Sequence, residues 1–290
     1  MAKKTSEIQV FSLIRTSIVA IFEHPIILYP LCIGVFFQLL ALEILYFSPR
    51  FPLNTFFGPL IRRLWGEIYL HYPANFMLLP KLFYYAQCFL YLFIGCVLNA
   101  MAISMIAAVN SDKKTTLKTA VRECFPRYFH IFLASFISFG FYWFLTKGYN
   151  FLLQWVVAFN VAGKKWLFVK KLFVYSEPYL SLFLGVLATS LFVFVIPAIV
   201  VDKKKVLGAL KANFQLLFKS FWFVFAVIFL VTLIYVPVLL LRSNITLISD
   251  NTTPIIQLIM ILISVLVTLA IDATVFTSTT TYYLLKKENT

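Results

Sequence analysis

Acidic side chains are scarce in this chain: 11 Asp and Glu stand against 25 Lys and Arg in 290 residues, and only 12% of the chain is charged. Soluble domains carry about 25% charged residues and about 45–50% apolar ones. Here 62% is hydrophobic, with 33 phenylalanines, so a water-soluble globular protein is excluded. Disorder is excluded too, since it needs low hydrophobicity with high charge. Long polar stretches are missing, which leaves no room for a separate soluble catalytic domain. Histidine is equally sparse: His24, His71 and His130 lie far apart, whereas a metal site needs a convergent cluster of ligands. No HExxH, GxSxG, phosphate-loop or GxGxxG pattern occurs, so neither an enzyme nor a cofactor is expected. The four cysteines form no CxxC pair. Cys32, Cys88 and Cys96 fall in expected spans and Cys124 in an inner segment, so they are taken as small apolar packers rather than a disulfide framework.

What the chain has in abundance is apolar runs. A helix needs about 20 mainly apolar residues to cross the hydrocarbon core, and six segments qualify: 26–47, 82–109, 129–145, 179–201, 221–241 and 254–285. The expected fold is an all-α membrane protein, a single integral membrane domain over 1–290 with six transmembrane helices in three hairpins. A further apolar run, 149–162, is too short to cross and is expected to be interfacial or re-entrant. Arg15, Glu23 and His24 interrupt the stretch after Lys3 and Lys4, so no cleavable signal peptide is expected and the first span remains as an anchor. Fifteen of the 25 Lys and Arg fall in the segments that are inside if the N-terminus is inside, a moderate bias that 164–171 argues against. Both termini are therefore placed on the cytoplasmic side. The net charge of +14 sits beside spans, where it sets topology and meets anionic lipid headgroups. Nucleic acid is not an expected partner.

The chain also repeats itself. Asp112-Lys113-Lys114-Thr115-Thr116-Leu117 resembles Asp202-Lys203-Lys204-Lys205-Val206-Leu207. With one residue of slippage, Ala120, Val121, Arg122 and Phe125 then match Ala209, Leu210, Lys211 and Phe214. Both stretches have apolar residues at spacings of three and four with cations opposite, the pattern of an amphipathic helix lying in the interface. A weaker copy, 11–22, precedes the first span and ends at His24-Pro25. The units are about 6–110, 111–201 and 202–287, each a cytoplasmic-side interfacial amphipathic helix followed by a hairpin. Expected headgroup contacts are Lys113, Lys114, Lys118, Arg122, Lys203, Lys204, Lys205 and Lys211, with a membrane-protein partner as the alternative. In the outer loops, Pro59 is expected to open an amphipathic helix reaching Ile68, and 163–174 to settle at headgroup depth. Asn244 and Asn251 match the glycosylation pattern, which has meaning only in a eukaryotic secretory setting.

One stretch carries a resemblance. Ile196-Pro197-Ala198-Ile199-Val200-Val201-Asp202, then Ala209-Leu210, Asn213, Leu216 and Phe221-Trp222, resembles a bacterial membrane-domain family. Its members include the membrane domain attached to some glycerophosphodiester phosphodiesterases. Thr281-Tyr282-Tyr283-Leu284-Leu285-Lys286-Lys287 is similar to that family's tyrosine-pair ending, and Asn213 stands where the family commonly has serine. The likeness covers mainly 190–287. It implies a six-span fold in a bacterial cytoplasmic membrane and brings no catalytic residues.

Asp272 is the residue that demands an explanation. It lies well inside the sixth span, where an aspartate costs about 2.5–3.5 kcal/mol on insertion scales. Gln257, Ser264, Thr268 and Thr279 share its helix face at multiples of three and four, and Asn99 in the second span is the expected amide partner. An intramembrane carboxylate is either a functional group in a polar cavity or a hydrogen-bonded glue between helices. Sequence alone favours glue. Ser181, Gly185 and Thr189 in the fourth span and Ala100, Ser104 and Ala108 in the second are expected to be packing seams. The resulting expectation is a non-enzymatic membrane scaffold or accessory protein contacting anionic lipids or a partner. The alternative is a small-solute transporter or lipid-handling protein that uses the stripe around Asp272.

Overall fold

A computed structural model describes residues 9–158, 164–243 and 255–288, and every element in them is helical. Asn244 and Asn251 lie outside the described residues. Six helical segments are long and apolar enough to cross a membrane: Pro25–Phe47, Ala74–Asn110, Leu117–Val156, Tyr175–Val200, Val206–Leu241 and Ile255–Lys287. The chain is a multi-pass integral membrane protein.

Prolines decide where these segments bend. Helix α1 (Val10–Glu23) stops at His24, which the ring of Pro25 pushes out of helical backbone to φ −126°. A 3-10 turn over Pro25–Ile27 then leads into α2 (Leu28–Phe47). Helix α3 (Asn54–Leu64) contains Pro59 rather than opening at it. It ends before Ile68, because Gly66 takes φ +104°, a value that suits glycine alone. Helix α4 (Ala74–Leu90) passes through a π-turn, Tyr91–Gly95, into α5 (Cys96–Asn110). Helix α5 is the centre of the bundle: Cys96, Ala100, Ala102, Met105 and Ile106 are buried. Its small residues let neighbouring backbones approach.

Helix α6 (Leu117–Cys124) opens with a capping box between Thr116 and Thr119, and the Ser104 hydroxyl donates to Glu123 Oε2 at 2.5 Å. A 3-10 turn at Phe125–Arg127 then starts α7 (Tyr128–Ala158). That helix corrects the expectation for 149–162: as far as Ala158 the run is neither re-entrant nor a separate interfacial piece. It continues the third span in one helix: no proline lies between Tyr128 and Tyr149, and the stop signal of Lys147-Gly148 is overridden. Its return partner, α8 (Lys164–Phe192), begins well before the apolar part of the fourth span.

Pro197 breaks the next helix. Its ring displaces the carbonyl four residues earlier, and the chain turns at Val193 and Phe194 before α9 (Val195–Val200). Asn213 occupies the break: its side-chain carbonyl accepts from the Phe194 N–H at 3.0 Å and its amide donates to the Leu191 carbonyl at 2.8 Å. Asn213 belongs to α10 (Val206–Thr232), which differs from the expected surface helix plus span by being continuous. The first two pre-span helices end at Pro25 and Pro126; this one has no proline, so nothing interrupts it. The shared apolar face expected here is split. Val206, Ala209, Asn213 and Leu217 are buried in the bundle, while Leu207 and Phe218 are 81% and 90% exposed. A 3-10 turn at Leu233–Tyr235 leads to α11 (Val236–Ser243), and α12 (Ile255–Glu288) closes the fold.

Helices α1, α6, the start of α10 and the last turns of α12 meet at one end of the bundle, the terminal end. The Asn110 amide donates to Thr281 Oγ1 at 3.2 Å, and the Arg127 guanidinium donates to the carbonyls of Ile199 and Val200 at the C-terminus of α9. Asp202 ties α9 to α12: it accepts from the Tyr283 hydroxyl at 2.8 Å, from Lys287 Nζ at 2.6 Å and from Lys204 Nζ at 3.2 Å. Burial alone would raise its pKa, but the bonds from Lys287, Tyr283 and Lys204 outweigh it and hold the carboxyl below the ordinary aspartate value. A depressed folded pKa means the contribution is complete above about pH 4 and is lost as pH falls through the lower, folded value. Both lysines are half in solvent, which screens the pairs. Asp202→Asn is therefore expected to cost about 1 kcal/mol at neutral pH. Thermal unfolding of the two proteins should converge as the buffer is taken below pH 4.

Candidate intramembrane site

The packed pair of helices α7 and α8 joins the molecule through α5 and α10 and makes little direct contact with α12. The gap it leaves is a cavity of about 510 Å³. Helix α7 contributes Ser138 and Tyr142 to it, α8 Ser181, Gly185 and Thr189, α10 and the turn after it Thr232 and Tyr235, and α12 Asp272, Val275 and Phe276. Tyr91, at the start of the π-turn, completes the wall. A π-turn shifts the residues after it around the helix axis, and such turns recur at functional sites.

Across α12 lies a second, smaller cavity of about 60 Å³, bounded by Gly34 and Gln38 of α2, Tyr91, Gly95 and Asn99 of the second span, and Thr268 and Asp272. Asp272 and Tyr91 line both cavities and so stand between them. No Lys, Arg or His lines either space.

The hydrogen bonds around the site are almost all local. The Thr268 hydroxyl donates to the Ser264 carbonyl at 2.8 Å, and Thr232 to the Ile228 carbonyl at 2.7 Å. Ser264 Oγ and the Tyr235 hydroxyl are 2.7 Å apart, which joins α12 to the turn after α10. The Gln87 amide donates to Gln38 Oε1 at 3.0 Å, joining the first two spans. Among the described residues, nothing donates a hydrogen bond to the Asp272 carboxylate. Asn99 borders the same small cavity, yet no hydrogen bond links it to Asp272.

The sequence-derived stripe thus divides. Asp272, Thr268 and Asn99 share the small cavity, and Ser264 sits one turn from Thr268, bonded to Tyr235. Gln257 lies about 22 Å along the helix from Asp272 at 1.5 Å per residue, with its Oε1 buried and without a partner. Thr279 is packed in the terminal half of α12, its hydroxyl donating to the Val275 carbonyl at 2.7 Å. Ser181, Gly185 and Thr189, expected to be a packing seam, instead face the large cavity: their small side chains leave its volume open. Tyr91, Tyr142 and Tyr235 were missed by sequence reasoning. A tyrosine inside an aromatic-rich span is no signal by itself, and only the assembled helices bring these three to one space. The cationic set of Lys113, Lys114, Lys118, Arg122, Lys203, Lys204, Lys205 and Lys211 is exposed throughout. Among the described residues, no three His, Cys, Asp or Glu side chains converge as a metal site. No family model, curated protein or solved structure matches this chain.

Proposed function

We propose that the chain is a non-enzymatic lipid-handling protein of a bacterial cytoplasmic membrane, with both termini cytoplasmic, that binds an amphiphile in the cavity beside Asp272. The observation that carries this reading is a carboxylate with no donor among the described residues, bordering a cavity of about 510 Å³. That volume is within the range of about 300–1,000 Å³ typical of ligand sites. The wall is mainly apolar, with hydroxyls from Tyr91, Ser138, Tyr142, Ser181, Thr189, Thr232 and Tyr235. It suits a molecule with an apolar body and a hydroxyl or amine that donates to Asp272. Three repeated units would frame that cavity, the second and third each entering the membrane through a cationic stretch. Both Asp112 and Lys203, at corresponding turns of the second and third units, take positive φ.

A scaffold is the second reading. Large apolar side chains stand exposed among the cations of the pre-span segments, Phe11, Phe22, Phe125 and Leu207 among them, and would bind a membrane partner as well as lipid.

Native mass spectrometry of the protein extracted with its surrounding bilayer separates the two. A stoichiometric small molecule or lipid held by the parent chain and lost in Asp272→Asn is expected. The same adduct on both proteins removes the Asp272 reading, and a second protein retained with only exchangeable lipid favours the scaffold.

A further inference from the structure

A third cavity, of about 680 Å³, opens at the terminal end between the middle of α10 and the last turns of α12. It shares no residue with the Asp272 cavities. Four of its lining residues are lysines: Lys204, Lys219, Lys286 and Lys287. Its one carboxylate, Asp202, is already engaged by Tyr283, Lys287 and Lys204, so its charge is turned into the protein. Four cations against one anion among the lining residues give the pocket wall a charge of about +3; Lys286 Nζ also stands 5.6 Å from the centroid of the Tyr282 ring. Ala212, Gln215, Leu216 and Lys219 come to it from one face of α10, at spacings of three and four.

The surroundings distinguish one kind of anion. Phe218 borders the pocket, and Trp222 follows it one turn further along α10 toward the membrane; the two are 90% and 78% exposed. An apolar ridge leading out of a cationic pocket into a span has the shape of a phospholipid, headgroup in the pocket and acyl chain along the ridge. Basic pockets between spans take such headgroups. A soluble phosphate ester would use the lysines and leave the ridge unused. We propose that this pocket binds the phosphate of an anionic phospholipid, with Lys219 and Lys286 as its principal contacts and Phe218 and Trp222 along the chain. Lys204 and Lys287 also line the pocket and are held in the Asp202 knot. The site is independent of the amphiphile-binding reading above and of which side of the membrane the terminal end faces.

The test uses the full chain, delipidated in detergent and titrated with phosphatidylglycerol, phosphatidylcholine or inorganic phosphate under native mass spectrometry. One phosphatidylglycerol should bind in clear preference to phosphatidylcholine, and millimolar phosphate should not displace it. Removing both Lys219 and Lys286 as K219Q/K286Q is expected to weaken phosphatidylglycerol about 30-fold, at about a tenfold change for each 1.4 kcal/mol. Both side chains are exposed and lie outside the Asp202 knot, and an unchanged unfolding temperature establishes that the fold is intact. K81Q/K147Q removes the same charge at two exposed lysines outside the pocket and outside the cationic pre-span segments, and should leave the preference in place. Equal binding of the two lipids, an unaltered preference in K219Q/K286Q, or an equal loss in K81Q/K147Q overturns the proposal. Displacement by phosphate overturns the lipid assignment and leaves a soluble phosphate ester.

Discussion

Replacing Asn213 with alanine is expected to destabilise the protein by about 4 kcal/mol, among the largest effects available to a single side chain outside the hydrocarbon-packed core. Pro197 forces the break between α8 and α9, and the break frees a backbone donor at Phe194 and an acceptor at Leu191. Asn213, fully buried, satisfies both with the two ends of one amide. No water has access to replace it, so truncation leaves two buried backbone groups unpaired at about 1–3 kcal/mol each, together with a cavity. The ordering of variants tests the geometry. Serine has one hydroxyl and a shorter reach, so Asn213→Ser should retain one of the two bonds and fall near the middle. Asn213→Asp keeps the shape and the acceptor but cannot donate to Leu191, and it places a charge in the core; it should be at least as damaging as alanine at neutral pH. Thermal unfolding in a mild detergent orders the three. An alanine variant as stable as the parent would mean that the break relaxes into regular helix without its latch.

The fold was largely legible because bilayer physics is severe: six apolar stretches of sufficient length allow few alternatives, and each expected span overlaps an observed one. Helix breaks at His24-Pro25 and near Pro197 follow from the missing N–H and the ring of proline. The continuity of α10 was in the same evidence, since the third pre-span segment lacks the proline that ends the first two. The extension of α7 past Tyr149 escaped because length thresholds for spanning say nothing about a helix that runs on after crossing. Asp272 announced itself through insertion cost. Its surroundings did not: the cavity arises because α7 and α8 pack on each other and on α5 and α10 and stand off α12, which is a property of helix order in space. The π-turn at Tyr91–Gly95 has no composition signal, and without it the place of Tyr91 beside Asp272 is not readable. Lys219 lies 67 and 68 residues before Lys286 and Lys287, in a different element, and meets them only when α10 crosses the end of α12.

Asp272→Leu is expected to raise stability while abolishing ligand retention, which separates a functional carboxylate from a structural one. On insertion scales an aspartate near the centre of a span costs about 2.5–3.5 kcal/mol and a leucine contributes about −0.3 to −0.6 kcal/mol, so the substitution relieves about 3 kcal/mol on entering the bilayer. If Asp272 glued helices together, part of that gain would be offset by the hydrogen bonds lost on folding. No described residue donates to its carboxylate, and its neighbours Thr268 and Ser264 are satisfied within α12 or by Tyr235. Little is therefore lost, and the gain should persist in the folded protein as a net stabilisation of about 1–3 kcal/mol. A residue whose removal stabilises the fold is retained for what it binds, the usual sign of a site held at the expense of stability. Asp272→Asn removes the charge but keeps polarity and should lie between, losing the ligand with a smaller gain. The measurement is the unfolding temperature of parent and both variants after exhaustive delipidation, so that bound ligand does not itself stabilise the parent. A lower unfolding temperature for Asp272→Leu than for the parent would establish Asp272 as interhelical glue and transfer the weight of the functional argument to the exposed cationic helices at the terminal end.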